Sequence, residues 1–422
     1  MCSKQPICYK IVAENTAWNV FVEEYSCVMA EAQKIRQFSL LIKPASADCN
    51  LACSYCFYLP KAGLYPGTLR HRMSKKTLER VICSYLATGQ PIYSFAWQGG
   101  EPTLMGVEFY RQVVELQSRH GSPGATVANA LQTNATLITE EMARFFSTYR
   151  FLVGVSLDGP QELHDRYRRN RKGNGSYRRV LRGIELLMKH RVEVNVLVAV
   201  HAGNVDKPRE VYRFLVGQGM SFHQYIPIVE FDERGDPLPF TILPEQWGAF
   251  LEGIYEQWLS DGGKVSVRLF DAILARLVGQ EPVMCSMGRD CRQYVLVEYN
   301  GDIYPCDFFV RPELRLGNIL DADWQILLDS PRYRDFGLRK SLWNERCQVC
   351  PYLELCHGDC LKHRLYTDGD SRRLSWLCAG WKAFYDRSLS GFQRIARRIQ
   401  RKRSRELEAR LAASARSLSD TR

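Results

Sequence analysis

The stretch Phe38-Ser-Leu-Leu-Ile-Lys-Pro-Ala-Ser-Ala-Asp-Cys49-Asn-Leu-Ala-Cys53-Ser-Tyr-Cys56-Phe-Tyr58 decides how the rest of the chain is read. Phe38–Ile42 is an apolar run of strand length, and three cysteines in a Cys-x-x-x-Cys-x-x-Cys spacing follow it. Three thiolates this close can hold three irons of a [4Fe–4S] cube. Such clusters normally take four cysteines, so the fourth iron would be left open. A tetrahedral zinc site would need a fourth ligand, and neither a second Cys-x-x-Cys nor a histidine lies nearby.

Outward from this stretch, strands and helices alternate. Strands are expected at Phe38–Ile42, Tyr93–Trp97, Val127–Gln132, Phe151–Leu157, Val192–Val200 and Phe222–Val229. Helices are expected between them, at Ser74–Thr88, Val107–Arg119, Thr139–Ser147, Ser176–His190 and Pro208–Gly217. In the fourth helix, Val180, Leu181, Ile184, Leu187 and Met188 recur at helical spacing and form a core face. The class is α/β, a parallel sheet with right-handed crossovers curled into a partial (β/α)6 TIM-like barrel. Ligands of such sheets gather at the C-terminal ends of the strands. The three-cysteine loop is at that end. So are Trp97-Gln-Gly-Gly-Glu-Pro102, Leu131-Gln-Thr-Asn134 and Val155-Ser-Leu-Asp-Gly-Pro160. The paired glycines of the first would let the backbone approach a ligand closely.

Near Glu281 the rhythm changes to short, cysteine-rich segments. Cys285, Cys291, Cys306, Cys347, Cys350, Cys356, Cys360 and Cys378 suffice for two four-thiolate sites, and counting alone leaves zinc and iron–sulfur clusters both open. Asn300-Gly is a hairpin turn that would place Cys306 and Asp307 on the return strand. Asp307 is then either a surface carboxylate or a general base. The expected organisation is an extension of unknown role over 1–36, a barrel over 37–265, a cysteine-rich domain over 266–385 and a basic helix or tail over 386–422.

Composition excludes several classes. The net charge of +11 suggests nucleic acid until it is localised. Residues 394–416 carry nine Lys/Arg against two Glu, so the excess lies mostly in an exposed basic helix and the body is near balance. No apolar run reaches membrane-spanning length, and Met1-Cys-Ser-Lys-Gln-Pro-Ile-Cys8 lacks a signal pattern. The expected location is the cytoplasm, where fifteen cysteines do not form disulfides. Cys2, Cys8, Cys27 and Cys83, outside the groupings, read as plain thiols.

The segment Cys49–Tyr58 resembles the signature of the radical S-adenosylmethionine (SAM) superfamily, and the eight later cysteines resemble those of a SPASM domain. With Gln-Gly-Gly-Glu-Pro102, Gln132–Asn134, Ser156–Arg168, Gln224–Glu230 and Asn-Gly-Asp-x-Tyr-x-Cys-Asp307, the chain is similar to anaerobic sulfatase-maturating enzymes over about Leu40 to Tyr385. The resemblance implies SAM and three [4Fe–4S] clusters. Cys49, Cys53 and Cys56 would hold the first. One auxiliary cluster would use Cys285, Cys291, Cys306 and Cys360, and the other Cys347, Cys350, Cys356 and Cys378. It implies SAM contacts at Tyr55, Gly100, Ser156, Arg168 and Val229, with Gly100 at the methionine amino group and Arg168 pairing its carboxylate. Tyr58 and Gln98 would face the substrate, and Asp307 would be the base.

The implied activity is oxidation of a cysteine or serine in a sulfatase polypeptide to Cα-formylglycine, in a segment of the type Cys/Ser-x-Pro/Ala-x-Arg. An electron donor such as flavodoxin or ferredoxin would supply the reducing electron. Nucleic acid and membrane are not expected partners. Asp307 is followed by Phe308-Phe309, where members of the family often have histidine. The alternative is a related maturase that crosslinks or otherwise modifies a ribosomally made peptide, sharing every cluster ligand. A zinc-rich nucleic-acid-binding protein would explain the cysteines and the tail but neither the barrel nor the Gly-Gly-Glu segment.

Overall fold

The computed structural model describes residues 36–365 and 370–419. Residues 1–35 of the expected N-terminal extension, with Cys2, Cys8 and Cys27, lie outside them. From the first strand onward the chain runs β1 (Ser39–Lys43), α1 (Lys75–Leu86), β2 (Ile92–Trp97), α2 (Val107–His120), β3 (Thr126–Thr133), α3 (Glu140–Thr148) and β4 (Leu152–Ser156). Then come α4 (Gln161–Tyr167), α5 (Tyr177–Lys189), β5 (Glu193–Val200), α6 (Pro208–Gly217) and β6 (Phe222–Pro227). All six strands and five longer helices fall where sequence places them, with ends moved by at most two residues. Local chemistry sets several of those ends. Ser74 caps α1 by accepting from the Thr77 N–H (3.1 Å), Thr139 caps α3 through the Met142 N–H (3.2 Å), and Pro208 opens α6.

Strands β1 to β6 pair in parallel in sequence order, as the helical crossovers require. Their inward side chains, among them Leu40, Ile42, Phe95, Trp97, Val153, Val196 and Val198, are buried. In α5, Val180, Ile184 and Leu187 face this core. Leu181 is only half-buried and Met188 is 41% exposed, so the apolar face is narrower than the spacing suggests.

The sheet does not close. It continues at both edges, through β7 (Ser266–Val267) beside β6 and, past α7 (Pro244–Ser260) and α8 (Arg268–Leu277), through β8 (Tyr294–Glu298) on the far side of β1. The antiparallel strands β9 (Asp302–Tyr304) and β10 (Gly317–Asn318) complete ten strands. Two expectations change here. Barrel pairing runs past residue 265 to Val267, and the cysteine-rich half shares the barrel's sheet. Gly301 makes the β8–β9 turn at φ +90°, but Cys306 and Asp307 lie just beyond the return strand, where Asp307 opens a short helical turn that Cys306 precedes.

Four short helices follow, α9 (Trp324–Leu328), α10 (Pro331–Leu338), α11 (Glu345–Gln348) and α12 (Leu353–Cys356). The last element, α13 (Cys378–Ser419), begins in the cysteine-rich region and packs along α7 and α8. Phe384, Phe392 and Ala396 are buried there, against Tyr255, Trp258 and Phe270. The expected exposed basic helix therefore begins nearer Arg397 than 386, and residues 401–408 are solvent-exposed.

Candidate active site

Parallel strands in sequence order bring their C-terminal loops to one rim. The three-cysteine loop leaves β1, Gly99-Gly100-Glu101 leaves β2, Asn134 leaves β3, Asp158 follows Ser156 of β4, His201 follows β5, and Val229 follows β6. Ser156 and Val229 are buried behind this rim, and Gln98 is half-buried, its N–H bonded to the Ile42 carbonyl (2.8 Å).

The cysteine loop is held from several sides. Asp48 accepts from the His71 N–H (2.9 Å), sits 2.8 Å from His71 Nδ1 and accepts from Arg72 (2.7 Å). Cys49 Sγ accepts the Leu51 N–H (3.3 Å) and lies 3.7 Å from the Asn134 amide nitrogen. Burial pushes the Cys49 thiol up to about 12 and that of Cys53 to about 11. Thiolates here need a compensating cation, as iron would provide.

The paired glycines serve a purpose the sequence did not reveal. The Gly100 N–H bonds to Ser46 O and the Glu101 N–H to Asp48 O, both at 2.7 Å. A Cβ on Gly100 would lie 2.0 Å from Asp48 O, and Gly99 has φ +137°. The close approach is to the cysteine loop's own backbone. Beside it, Glu101 is fully buried and accepts from the Thr103 N–H (2.9 Å), the Thr133 hydroxyl (2.7 Å) and the Asn134 N–H (2.8 Å), tying β2 to β3.

Arg168 and Tyr55 meet on Asp158, the carboxylate of the strand-end segment Val155-Ser-Leu-Asp-Gly-Pro160, whose individual role the sequence does not show. Arg168 Nε donates to Asp158 Oδ2 (2.8 Å), the Tyr55 hydroxyl donates to the same oxygen (2.5 Å), and Oδ1 accepts the Ala199 N–H (2.9 Å). His201 stacks on Tyr55 with ring centroids 5.6 Å apart and lies 3.6 Å from Asp158. Burial would raise the Asp158 pKa, but Arg168 and His201 outweigh it and hold the carboxylate well below its usual range.

Across the rim, Tyr58 and Asp307 meet on another overlooked side chain, Lys43. Its Nζ lies 3.7 Å from Asp307 Oδ2 and 4.1 Å from the centroid of the Tyr58 ring. The Tyr58 hydroxyl donates to Glu298, a fully buried carboxylate whose pKa burial raises. Tyr58 itself is 2% exposed, so little of it faces open space. Asp307 is 13% exposed, and its Oδ1 is 3.6 Å from Cys306 Sγ. Phe308 packs on Phe57 in a tilted arrangement with ring centroids 4.5 Å apart, Lys362 above both rings, and so joins the cysteine loop to the later cysteines.

Those later cysteines line two cavities. Cys347, Cys350, Cys356 and Cys378 line one of about 240 Å³, and Cys285, Cys291, Cys306 and Cys360 line the other, of about 30 Å³. The interleaved order, invisible in the spacing, follows from the chain doubling back so that Cys360 meets the first set. Trp381 lines the larger cavity, and its indole N–H has no acceptor among the described residues. Four thiols around a space, with a spare buried donor, fit a sulfur-rich cluster.

Residues 44–215 match the radical SAM superfamily, and residues 285–351 match SPASM, an iron–sulfur cluster-binding domain. The serine-type anaerobic sulfatase-maturating enzyme of Bacteroides thetaiotaomicron is 38% identical over 365 residues, covering 82% of this chain and 88% of that protein. The chain belongs to the anaerobic sulfatase-maturating enzymes of the radical SAM superfamily. The cysteine-type enzyme of Clostridium perfringens is 34% identical over 367 residues, 86% of this chain and 99% of that protein. A solved structure of anSMEcpe with bound AdoMet and Cp18Cys peptide superposes with a TM-score of 0.80 at 33% identity, covering 86% of this chain and all of that one. Membership carries SAM and three [4Fe–4S] clusters. No helix among the described residues is long and apolar enough to cross a membrane.

Proposed function

We propose that this chain oxidises a cysteine or serine of a sulfatase polypeptide to Cα-formylglycine under anaerobic conditions. The observation that carries this reading is the Asp307 carboxylate, set between Lys43 and Cys306 beside the three-cysteine loop. It is supported by relatives named for both the serine-type and cysteine-type reactions. The crosslinking alternative has no such support.

Cys49, Cys53 and Cys56 would hold the first cluster, and the two sets of four would hold the auxiliary clusters. When bound, SAM and these clusters supply an acceptor for a hydrogen atom and an acceptor for an electron. The target side chain –CH2–SH loses one Cβ hydrogen atom, one electron and the thiol proton, forming –CH=S. Water then gives the aldehyde and hydrogen sulfide. A serine target forms the aldehyde directly.

Asp307 takes the thiol or hydroxyl proton, and Lys43, 3.7 Å from its carboxylate, aims it. Arg168, fixed by Asp158, would pair the SAM carboxylate, and Gly100, Tyr55, Ser156 and Val229 would bound the SAM site. Tyr58 and Gln98 border the space for the target side chain. The substrate is a Cys/Ser-x-Pro/Ala-x-Arg segment, the electron donor is of flavodoxin or ferredoxin type, and the enzyme works in the cytoplasm.

The test is anaerobic reconstitution with SAM, a reductant and peptides containing Cys-x-Pro-x-Arg or Ser-x-Pro-x-Arg, read by mass spectrometry. Conversion of CH2SH or CH2OH to CHO, together with 5′-deoxyadenosine, is the expected result. Deoxyadenosine without peptide oxidation would refute the substrate assignment. Asp307→Asn should cleave SAM yet form aldehyde about 10²-fold more slowly or worse.

A further inference from the structure

Beside the smaller cysteine-lined cavity lies a buried charge with no part in the proposed reaction. Lys340 is fully buried, with 0% exposure. Its Nζ donates to Ser286 O (3.0 Å), to His357 O (2.9 Å) and to Asp359 O. An ammonium has three donors, whereas a neutral amine has two and would turn a lone pair on the third carbonyl. Three carbonyl acceptors match the three donors of the charged form; burial lowers the lysine pKa, and Cys291, Asp359 and Cys356 oppose that shift.

The three anchors straddle both thiol sets. Ser286 follows Cys285 of one, while His357 follows Cys356 of the other and Asp359 precedes Cys360. Lys340 also lines the smaller cavity and interacts electrostatically with Cys291 of one set and Cys356 of the other. A second buried cation backs it. Arg364, 1% exposed, donates to Lys340 O (2.9 Å) and Leu342 O (3.2 Å), and its Nε finds no acceptor among the described residues. Its charge likewise reaches Cys291 and Cys360 of one set and Cys347 of the other.

Burying cations is unfavourable unless anions answer them, and Asp359 is largely engaged by His363 (2.8 Å) and Ser375 (2.7 Å). The remaining anions at hand are the thiolates and whatever they hold. A positive charge beside a redox centre stabilises its reduced form and raises its potential. We propose that Lys340 and Arg364 form a fixed cationic bridge that raises the reduction potentials of both auxiliary clusters, and so makes them able to receive the electron released by the substrate.

This rests on the assignment of the eight thiols to two clusters, which iron and sulfide content of the wild-type enzyme tests separately. The experiment is anaerobic potentiometry of Lys340→Gln and Arg364→Gln, each checked for wild-type iron content and followed by electron paramagnetic resonance. The expected result is a shift of the auxiliary-cluster potentials to more negative values, with the three-cysteine cluster unmoved, and reversal of the shift in Lys340→Arg. Product formation should fall several-fold while SAM cleavage continues. Should Lys340→Gln lose iron, Arg364→Gln gives the same readout. Wild-type potentials in an iron-replete variant would overturn the proposal. So would loss of iron in both variants, which would make the charges structural.

Discussion

Lys43 Nζ lies 3.7 Å from Asp307 Oδ2, and Lys43 is also the register partner of Glu298 on the neighbouring parallel strand. One ammonium thus answers two carboxylates contributed by the second half of the chain. Burial lowers the Lys43 pKa, and Asp307 and Glu298 oppose that shift. The pairing exists only because β8 docks on β1, so the sheet itself sets the proposed base beside the three-cysteine loop.

Replacing Lys43 with methionine should lower aldehyde formation at least about tenfold, with SAM cleavage retained, because Asp307 loses the charge that aims it. Stability should fall by about 3 kcal/mol, since two carboxylates are left without their cation. Adding Glu298→Gln should recover much of the stability but not the rate. Thermal denaturation and single-turnover assays of the four proteins of this cycle separate the two effects. A rate equal to wild type in Lys43→Met would remove the positioning role.

Asp158→Asn tests the other side of the rim. The asparagine oxygen can still accept the Ala199 N–H, but its amide nitrogen would face Arg168 Nε, donor against donor. Breaking this buried pair should cost about 3–5 kcal/mol of stability. A loosened Arg168 should weaken SAM binding about tenfold, or about 1.4 kcal/mol. Equilibrium binding of SAM to the cluster-loaded enzyme reads this directly. Unchanged affinity in a destabilised protein would mean that Arg168 does not touch SAM.

These two networks mark where sequence reading stopped. Periodicity located β1 to β6 because strand and helix patterns are local, but not the two-residue strand β7. Cysteine spacing located every thiol that now lines a cavity or the first loop. Lys43, Glu298 and Lys340 carry no mark in the sequence because a buried charge and a solvated one look alike there. Their burial depends on partners far along the chain, Lys43 and Asp307 being one such pair. The β1–β8 pairing was hidden for the same reason, and so was the docking of α13 on α7. Only the carboxylate in Val155-Ser-Leu-Asp-Gly-Pro160 carried a local signal, a polar side chain at a strand end.

Gly100→Ala should damage the first cluster selectively. The new Cβ would meet Asp48 O at 2.0 Å and the Ala47 carbonyl carbon at 2.6 Å, so the cysteine loop must move. The eight later cysteines are untouched by that movement. Reconstituted protein should lose the iron held by the three-cysteine site, and SAM cleavage with it, while keeping the auxiliary-cluster signals. Full iron content and normal SAM cleavage would show that the loop tolerates the shift.

His223 gives the fold a pH dependence that is separable from the clusters. It is buried in β6, where Nε2–H donates to Met220 O (3.2 Å) and Nδ1 accepts from the Tyr225 hydroxyl (3.1 Å). Burial lowers its pKa from 6.5 to about 4. Between those values the unfolded chain binds a proton that the folded chain refuses, so stability rises with pH across that window. The contribution is fully present above pH 6.5 and is lost as the pH falls towards 4, amounting to about 3 kcal/mol. His223→Gln keeps a donor and an acceptor but does not titrate. Urea denaturation of both proteins at pH 7 and pH 5 should show the wild type losing more stability on acidification than the variant, by about 2 kcal/mol. Equal losses would mean that His223 protonates within the fold without penalty.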